Sequence, residues 1–428
     1  MTRTQQISFG FLAQAVALLM LYTAVTLLGA AKFVSSDPLA VSLPYQHVGA
    51  FANVLLHLSV MSGLLGGGVY VLAGQGMRDD ALLSYSFRLW SVILILAFFA
   101  GLLGLLEGRN LLELPPPLDI AQIVAILLIL AGMVRSQARW TPFVQVWMVG
   151  MALGVVCTII GLIPTTDYLA DRTLRALAVG LNVNVAYVLA ALALGYWLMH
   201  RFSDVPQGWA DSSLYTAAGV LALAGVLVSL SGFYTLGVPE WAITLGNIGA
   251  VAVPILYLIV AAHTYKALSS RNPTVTLAAH WYALGLLLLL IGAGLLGGLQ
   301  VAPGIQQWTA GTRLSDLQLT LTALAAIAIV LGVVNQVTAE MRGQNRRVMG
   351  LTPFWLVAFG IVGGGLALGG AGLVQTYLER VAGIGYLETQ TLIVPLYALW
   401  LGGWLAAALG IGIYAFTFWV RRPVTPVT

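Results

Sequence analysis

The sequence predicts an all-α fold: a polytopic membrane bundle of twelve transmembrane helices, forming a single integral-membrane domain over residues 1–428. Three observations predict it. Of the 428 residues, 60% are hydrophobic and only 8% are charged, against roughly 25% charged in soluble globular domains. Apolar runs of the roughly 20 residues needed to cross a hydrocarbon core of about 30 Å occur twelve times along the chain. The basic residues sort to alternate ends of those runs. This composition excludes a water-soluble globule. The formal net charge of +4 is too small and too dispersed for a nucleic-acid footprint. The single cysteine, Cys157, lies within an apolar run, so neither an internal disulfide nor a cysteine-based metal site can be built.

The runs cover 8–31, 49–73, 86–106, 118–134, 143–163, 176–200, 213–235, 241–263, 276–298, 316–338, 352–377 and 391–419, each bounded by charge, proline or a polar cluster. The first is about 24 residues long, exceeds a signal-peptide core and lacks a small-residue cleavage site after it, so it is expected as a retained span. The second follows Pro44, and the third stops before Glu107. The fourth is short and lies between Pro115–Pro117 and Arg135. The fifth begins after Pro142, and the sixth carries Asn182 and Asn184 before ending at His200 and Arg201. The seventh starts beyond Asp211, the eighth contains Pro254, and the ninth includes His280. The tenth opens at Asp316, the eleventh is rich in glycine, and the twelfth contains Pro395 and stops before Arg421. Gly63/Gly67 and Gly360/Gly364 have the four-residue spacing that permits close helix approach, either within the chain or across a dimer face.

Twelve spans place both termini on one side. Six of the 19 Lys and Arg residues (Lys32, Arg109, Arg172, Arg175, Arg313 and Arg380) fall on the opposite side, leaving thirteen beside the termini. The positive-inside rule then makes both termini cytoplasmic. No acid falls at mid-membrane. Ion-coupled carriers usually keep one there, despite a cost of at least about 2.5 kcal/mol, because it works for them.

Three stretches stand out in order. Glu107-Gly-Arg-Asn-Leu-Leu-Glu-Leu-Pro-Pro-Pro-Leu-Asp119 follows the third span, Gly237-Val-Pro-Glu-Trp241 leads into the span with Pro254, and Ala371-Gly-Leu-Val-Gln-Thr-Tyr377 precedes Pro395. Together, on twelve spans, they resemble subunit I of the haem-copper oxidase superfamily, in the branch of cbb-type cytochrome c oxidases and nitric oxide reductases. The first is similar to that branch's Gly-Arg-Glu-Tyr-Leu-Glu-Leu-Pro loop, with Asn110 and Leu111 in place of Glu-Tyr. The resemblance covers nearly the whole chain. It implies a multi-pass protein of a bacterial or archaeal cytoplasmic membrane.

The resemblance also implies a low-spin haem between histidines of the second and tenth spans, and a high-spin haem facing a metal held by histidines of the sixth and seventh. Those ligands are missing from the expected positions. Aligned on Tyr70, the second-span position falls at Ala52 to Val54. The tenth span has Asp316 and Gln318 where a His-x-His pair is expected. The sixth reads Leu181-Asn-Val-Asn184, and the seventh Ser231-Gly-Phe-Tyr234. Imidazole is the usual axial ligand to haem iron and the usual copper ligand, and carboxamides substitute for it poorly. The expectation is the fold without oxygen or nitric oxide reduction.

Five histidines remain. His57 lies about 12 Å into the second span and is the best candidate for a haem or quinone contact; the alternative is a buried histidine hydrogen-bonded to a neighbouring helix. His47 is either an interfacial loop residue or a second cofactor contact. His200, His263 and His280 sit at cytoplasmic span ends, as an interfacial cationic rim or as a metal cluster. Asp316 is a helix cap or, with Arg313, a site for a headgroup or partner subunit. Glu107, Arg109, Glu113 and Asp119 form a charged outer loop for solvation or docking.

The expected function is a cytochrome c oxidase subunit I-like membrane subunit of a respiratory or redox complex: a non-catalytic scaffold or docking subunit needing no cofactor. Its partners would be membrane lipids and other subunits, such as a periplasmic cytochrome or iron-sulfur protein. Two alternatives stand beside it: a haem b electron-transfer cytochrome using His57, and a carrier of a neutral or lipidic small molecule.

Overall fold

Uniformly apolar helices cannot leave backbone polar groups exposed to lipid, and this chain meets that requirement by satisfying them within each helix. The computed structural model describes residues 2–35, 44–77, 81–106, 114–136, 139–202, 206–230, 240–269, 277–341 and 350–420, and among them all regular structure is helical. Among the described residues, twelve helices are long and apolar enough to span: α1 Arg3–Ala31, α2 Tyr45–Gly74, α3 Ala81–Leu102, α4 Pro116–Arg135, α5 Pro142–Leu162, α6 Tyr168–Phe202, α7 Gly208–Ser229, α8 Glu240–Lys266, α9 Leu277–Val301, α10 Arg313–Met341, α11 Thr352–Val381 and α12 Val394–Val420. The count and order match the sequence expectation, as does the fold class. Short helices Pro303–Thr309 and Tyr386–Leu392 cap the end of the bundle opposite the termini.

Burial sorts the helices into a centre and a rim. The apolar windows of α2, α6 and α10 are 78%, 83% and 89% buried, whereas those of α3, α8 and α12 are 28% buried. Large apolar side chains on the rim helices, such as Ile95, Phe359, Leu366 and Phe416, are exposed, as expected where the solvent is hydrocarbon.

Glycine sets the closest approach. A Cβ on Gly360 would lie 2.6 Å from the Ala407 nitrogen, and one on Gly403 would lie 2.6 Å from the Gly364 Cα. The Gly360/Gly364 pair therefore packs α11 against α12 within the chain. Gly63 and Gly67 meet Val330 and Leu194 in the same manner.

Three spans contain a wide π-helical turn: Asn182–Tyr187 in α6, Leu290–Leu296 in α9 and Tyr377–Val381 in α11. The first is wholly buried. Such a turn adds a residue to the helix and rotates the following side chains; here it accommodates the Asn182/Asn184 pair in a helix longer than the expected run. At the terminus end, Tyr70 donates to Glu340 at 2.8 Å and Arg201 lies 3.6 Å from the same carboxylate.

Candidate functional site

Two polar clusters lie between the central helices. In the first, His57 of α2 reaches Tyr187 of α6 through Nδ1 and the Gln122 amide of α4, 2.9 to 3.1 Å away, through Nε2. A neutral imidazole offers one donor and one acceptor, and these two partners use both nitrogens. His57, Gln122 and Tyr187 are each buried to about 1% exposure. In the second, Gln318 of α10 donates to Asn184 of α6 at 2.9 Å, with Thr322 3.4 Å from the same amide nitrogen. Side-chain amides and hydroxyls thus join α2, α4, α6 and α10 where the bundle is most deeply buried. Buried polar groups are costly unless paired, so the two clusters also fix helix rotation.

Beside them lies a cavity of about 510 Å³ between α1, α2, α10, α11 and α12, within the size range of small-molecule pockets. Ala52 and Asn53 line it from α2, and Asp316, Leu317 and Thr320 from α10. Helical geometry explains the division: residues four apart share a face, so Asp316, Thr320 and Leu324 point into the cavity while Gln318 and Thr322 turn to α6. Of the two tenth-span positions expected to replace ligands, only Asp316 reaches the cavity.

Arg313 holds its mouth. Its guanidinium carbon stands 4.7 Å from the Phe33 ring centroid and 5.9 Å from that of Tyr397. Nε donates to the Tyr397 hydroxyl at 3.4 Å, and Nη1 pairs with Asp316 at 3.4 Å. The Asp316 carboxylate engages Arg313, while the Thr312 hydroxyl lies 3.5 Å from the Leu314 nitrogen at the helix start. The capping expected of Asp316 thus gives way to an ion pair, since Arg313 lies one turn away on the same face.

His47 is exposed in the first turn of α2, and its ring lies beside Gly104, outside the cavity lining. Asp119 departs from expectation. It is 3% exposed in the first turn of α4, where a carboxylate meets the positive end of the helix dipole; it is no exposed loop charge. Glu107, Arg109 and Glu113 lie outside the described residues, as do Ser231–Tyr234. His200, His263 and His280 pack separately against Phe143, Trp209 and Phe354. Among the described residues, no group of three or more His, Cys, Asp or Glu could hold a metal ion.

Gln122, Tyr187 and Thr320 were not singled out by sequence, and Asn53 only within the Ala52 to Val54 stretch. A lone polar residue in an apolar run marks a contact without naming its partner.

The donors lining the cavity among the described residues are hydroxyls, amides, a carboxylate, a guanidinium and indoles; imidazole, thiolate and thioether are missing from the set. A haem iron held by two imidazoles does not fit this lining. Nor does the Asn184–Gln318–Thr322 cluster offer donors suited to a copper or non-haem iron ion.

No protein-family model matches the chain. Over 431 aligned positions, covering 92% of this chain and 90% of the relative, it is 22% identical to a nitric oxide reductase subunit of Stutzerimonas stutzeri. The chain is a distant relative of that protein. The near-complete coverage of both proteins, with twelve membrane-length helices, supports the haem-copper oxidase superfamily and a subunit I-like bundle.

Proposed function

We propose that this chain is a non-catalytic, haem-copper oxidase-like subunit of a redox complex in a bacterial or archaeal cytoplasmic membrane, with both termini cytoplasmic and all twelve spans in one integral-membrane domain. The observation that carries this reading is the pairing of Gln318 with Asn184. These residues stand at two of the positions where the resemblance implies metal or haem ligands, and each amide occupies the other. The donor set favours a scaffold over a reductase.

Partner subunits follow from the same reading. The relative is itself named as one subunit among others, and a scaffold acts only in company. Docking falls to the end opposite the termini, where Arg313 and Asp316 lie; a periplasmic cytochrome or iron-sulfur protein is the expected visitor.

The haem b alternative through His57 has the geometry against it, because both ring nitrogens already meet side chains. A reduced-minus-oxidised absorption spectrum of the purified chain separates the readings. The scaffold predicts no Soret or α band at stoichiometric level and no oxygen or nitric oxide consumption by the isolated chain. A haem-to-chain ratio near one would establish a cytochrome instead.

A further inference from the structure

The cavity between α1, α2, α10, α11 and α12 is a slot that runs along the helices. On α10 its lining recurs on one face from Asp316 through Thr320 to Leu324, a drop of about 12 Å at 1.5 Å per residue. Leu317, Leu321 and Leu324 of α10 and Ile361 and Leu368 of α11 give the slot an apolar wall. Asn53, on the α2 side, is already engaged within the protein. Charge is confined to the mouth. Among the described residues of the lining, Arg313 and Asp316 are the ionised pair, one of each sign.

That pair is held open. Nη1 of Arg313 stands 3.4 Å from the Asp316 carboxylate, whereas charge-assisted hydrogen bonds close to about 2.7–2.9 Å. The faces of Phe33 and Tyr397 fix the guanidinium from the side, 4.7 and 5.9 Å from its central carbon. An arginine fork offers five N–H donors and a carboxylate several lone pairs, so each charge keeps capacity for a further partner.

We infer that this slot binds a phosphatidylethanolamine-type phospholipid, with the phosphate on Arg313, the ammonium on Asp316 and one acyl chain along the α10–α11 wall. A guanidinium matches phosphate oxygens, and an ammonium brings N–H donors to a carboxylate. A headgroup carrying only negative charge would satisfy Arg313 but set a like charge against Asp316. One carrying no charge would satisfy neither. A quaternary ammonium has no N–H to give Asp316. The apolar wall below the mouth calls for hydrocarbon attached to the zwitterion, which selects a lipid over a soluble phosphoethanolamine.

Lipid binding here rests on the reading that the cavity holds no haem. A haem band in the purified chain removes both readings, whereas a haem-free chain without the lipid preference removes only this one. The test is native mass spectrometry of the purified, delipidated full chain, titrated in detergent with dioleoyl phosphatidylethanolamine, phosphatidylglycerol or phosphatidylcholine. One tight site is expected, favouring phosphatidylethanolamine over the other two by about fivefold or more, and Arg313→Gln and Asp316→Asn should each weaken it about fivefold or more. Asp316→Asn should also shift the preference toward phosphatidylglycerol. Gly365→Leu, which adds a side chain at a position where a Cβ already meets Leu321 at 3.5 Å and Leu317 at 3.8 Å, should abolish the tight site. Leu366→Ala, on the exposed face of α11, should bind as the parent does. Variants are compared where elution profile and melting temperature match the parent, and the lipid preference of the parent decides the matter even if a variant fails to fold. Equal binding of the three lipids overturns the site, as does unchanged affinity in a folded Asp316→Asn or Gly365→Leu protein. Equal affinity for glycerophosphoethanolamine, which lacks the acyl chains, would also overturn it and assign the mouth to a soluble zwitterion.

Discussion

Gln318 of α10 donates a hydrogen bond to the side-chain oxygen of Asn184, 2.9 Å away on α6, with both residues buried. The pair spans 134 positions of sequence and ties together the two most buried helices. Interhelical hydrogen bonds in membrane proteins average about 0.6 kcal/mol, but leaving one partner buried and unpaired costs about 1–3 kcal/mol. Gln318→Leu alone should therefore destabilise the bundle by more than the pair is worth. The Gln318→Leu/Asn184→Leu double variant should recover part of that loss. Thermal unfolding in detergent, run as a double-mutant cycle, measures it; additive losses would mean that the two amides do not interact.

His57 gives a second prediction, because its partners lie on two other helices. His57→Leu strands the Tyr187 hydroxyl and the Gln122 amide and should cost about 1–3 kcal/mol, with no change in the visible absorption spectrum. Loss of a visible band in this variant would show that the imidazole holds an iron.

The α11–α12 contact allows a comparison of adjacent residues. Gly403→Ala places a methyl group 2.6 Å from the Gly364 Cα, while Gly402 has no heavy atom within 4 Å of its added Cβ. Overpacking typically costs about 1–3 kcal/mol, so Gly403→Ala should lower the melting temperature while Gly402→Ala leaves it near the parent value. Equal effects would place the two helices further apart than described.

Orientation is open to direct labelling. Ser35 lies at the end opposite the termini and Ser212 at the terminus end, and both are exposed. In intact cells, a membrane-impermeant maleimide should modify a Ser35→Cys protein and spare Ser212→Cys until the membrane is opened. The reverse pattern would invert the topology that the thirteen basic residues on the terminus side imply.

Span number and order were legible because hydrocarbon imposes a length on every helix, and twelve runs of that length stand out between their charged and proline-rich borders. What the spans do to one another was less so. The alternation of Asp316 and Thr320 with Gln318 and Thr322 can be read as two helix faces, but only packing tells which one meets the cavity and which meets Asn184. Asn182 and Asn184 looked like a weak span; the π turn at Asn182–Tyr187 makes them its buried heart. Pro115–Pro117 suggested a loop extending through Asp119, yet Pro116 and Pro117 occupy the first turn of α4, where a missing N–H has no cost. The carboxylate of Asp119 is thereby carried inward. His57 was visible as a buried histidine, although Gln122 and Tyr187, 65 and 130 positions away, could not have been named as its partners.

Gln318 and Asn184, at two of the positions where the resemblance implies haem or metal ligands, are paired with each other. A density map of the purified assembly, at a resolution that shows side chains, tests this pairing most directly. Continuous side-chain density is expected for Gln318 against Asn184 and for His57 between Gln122 and Tyr187, with neighbouring subunits beside the end opposite the termini. Porphyrin density between α2 and α10, with an iron bound by a residue of this chain, would contradict it.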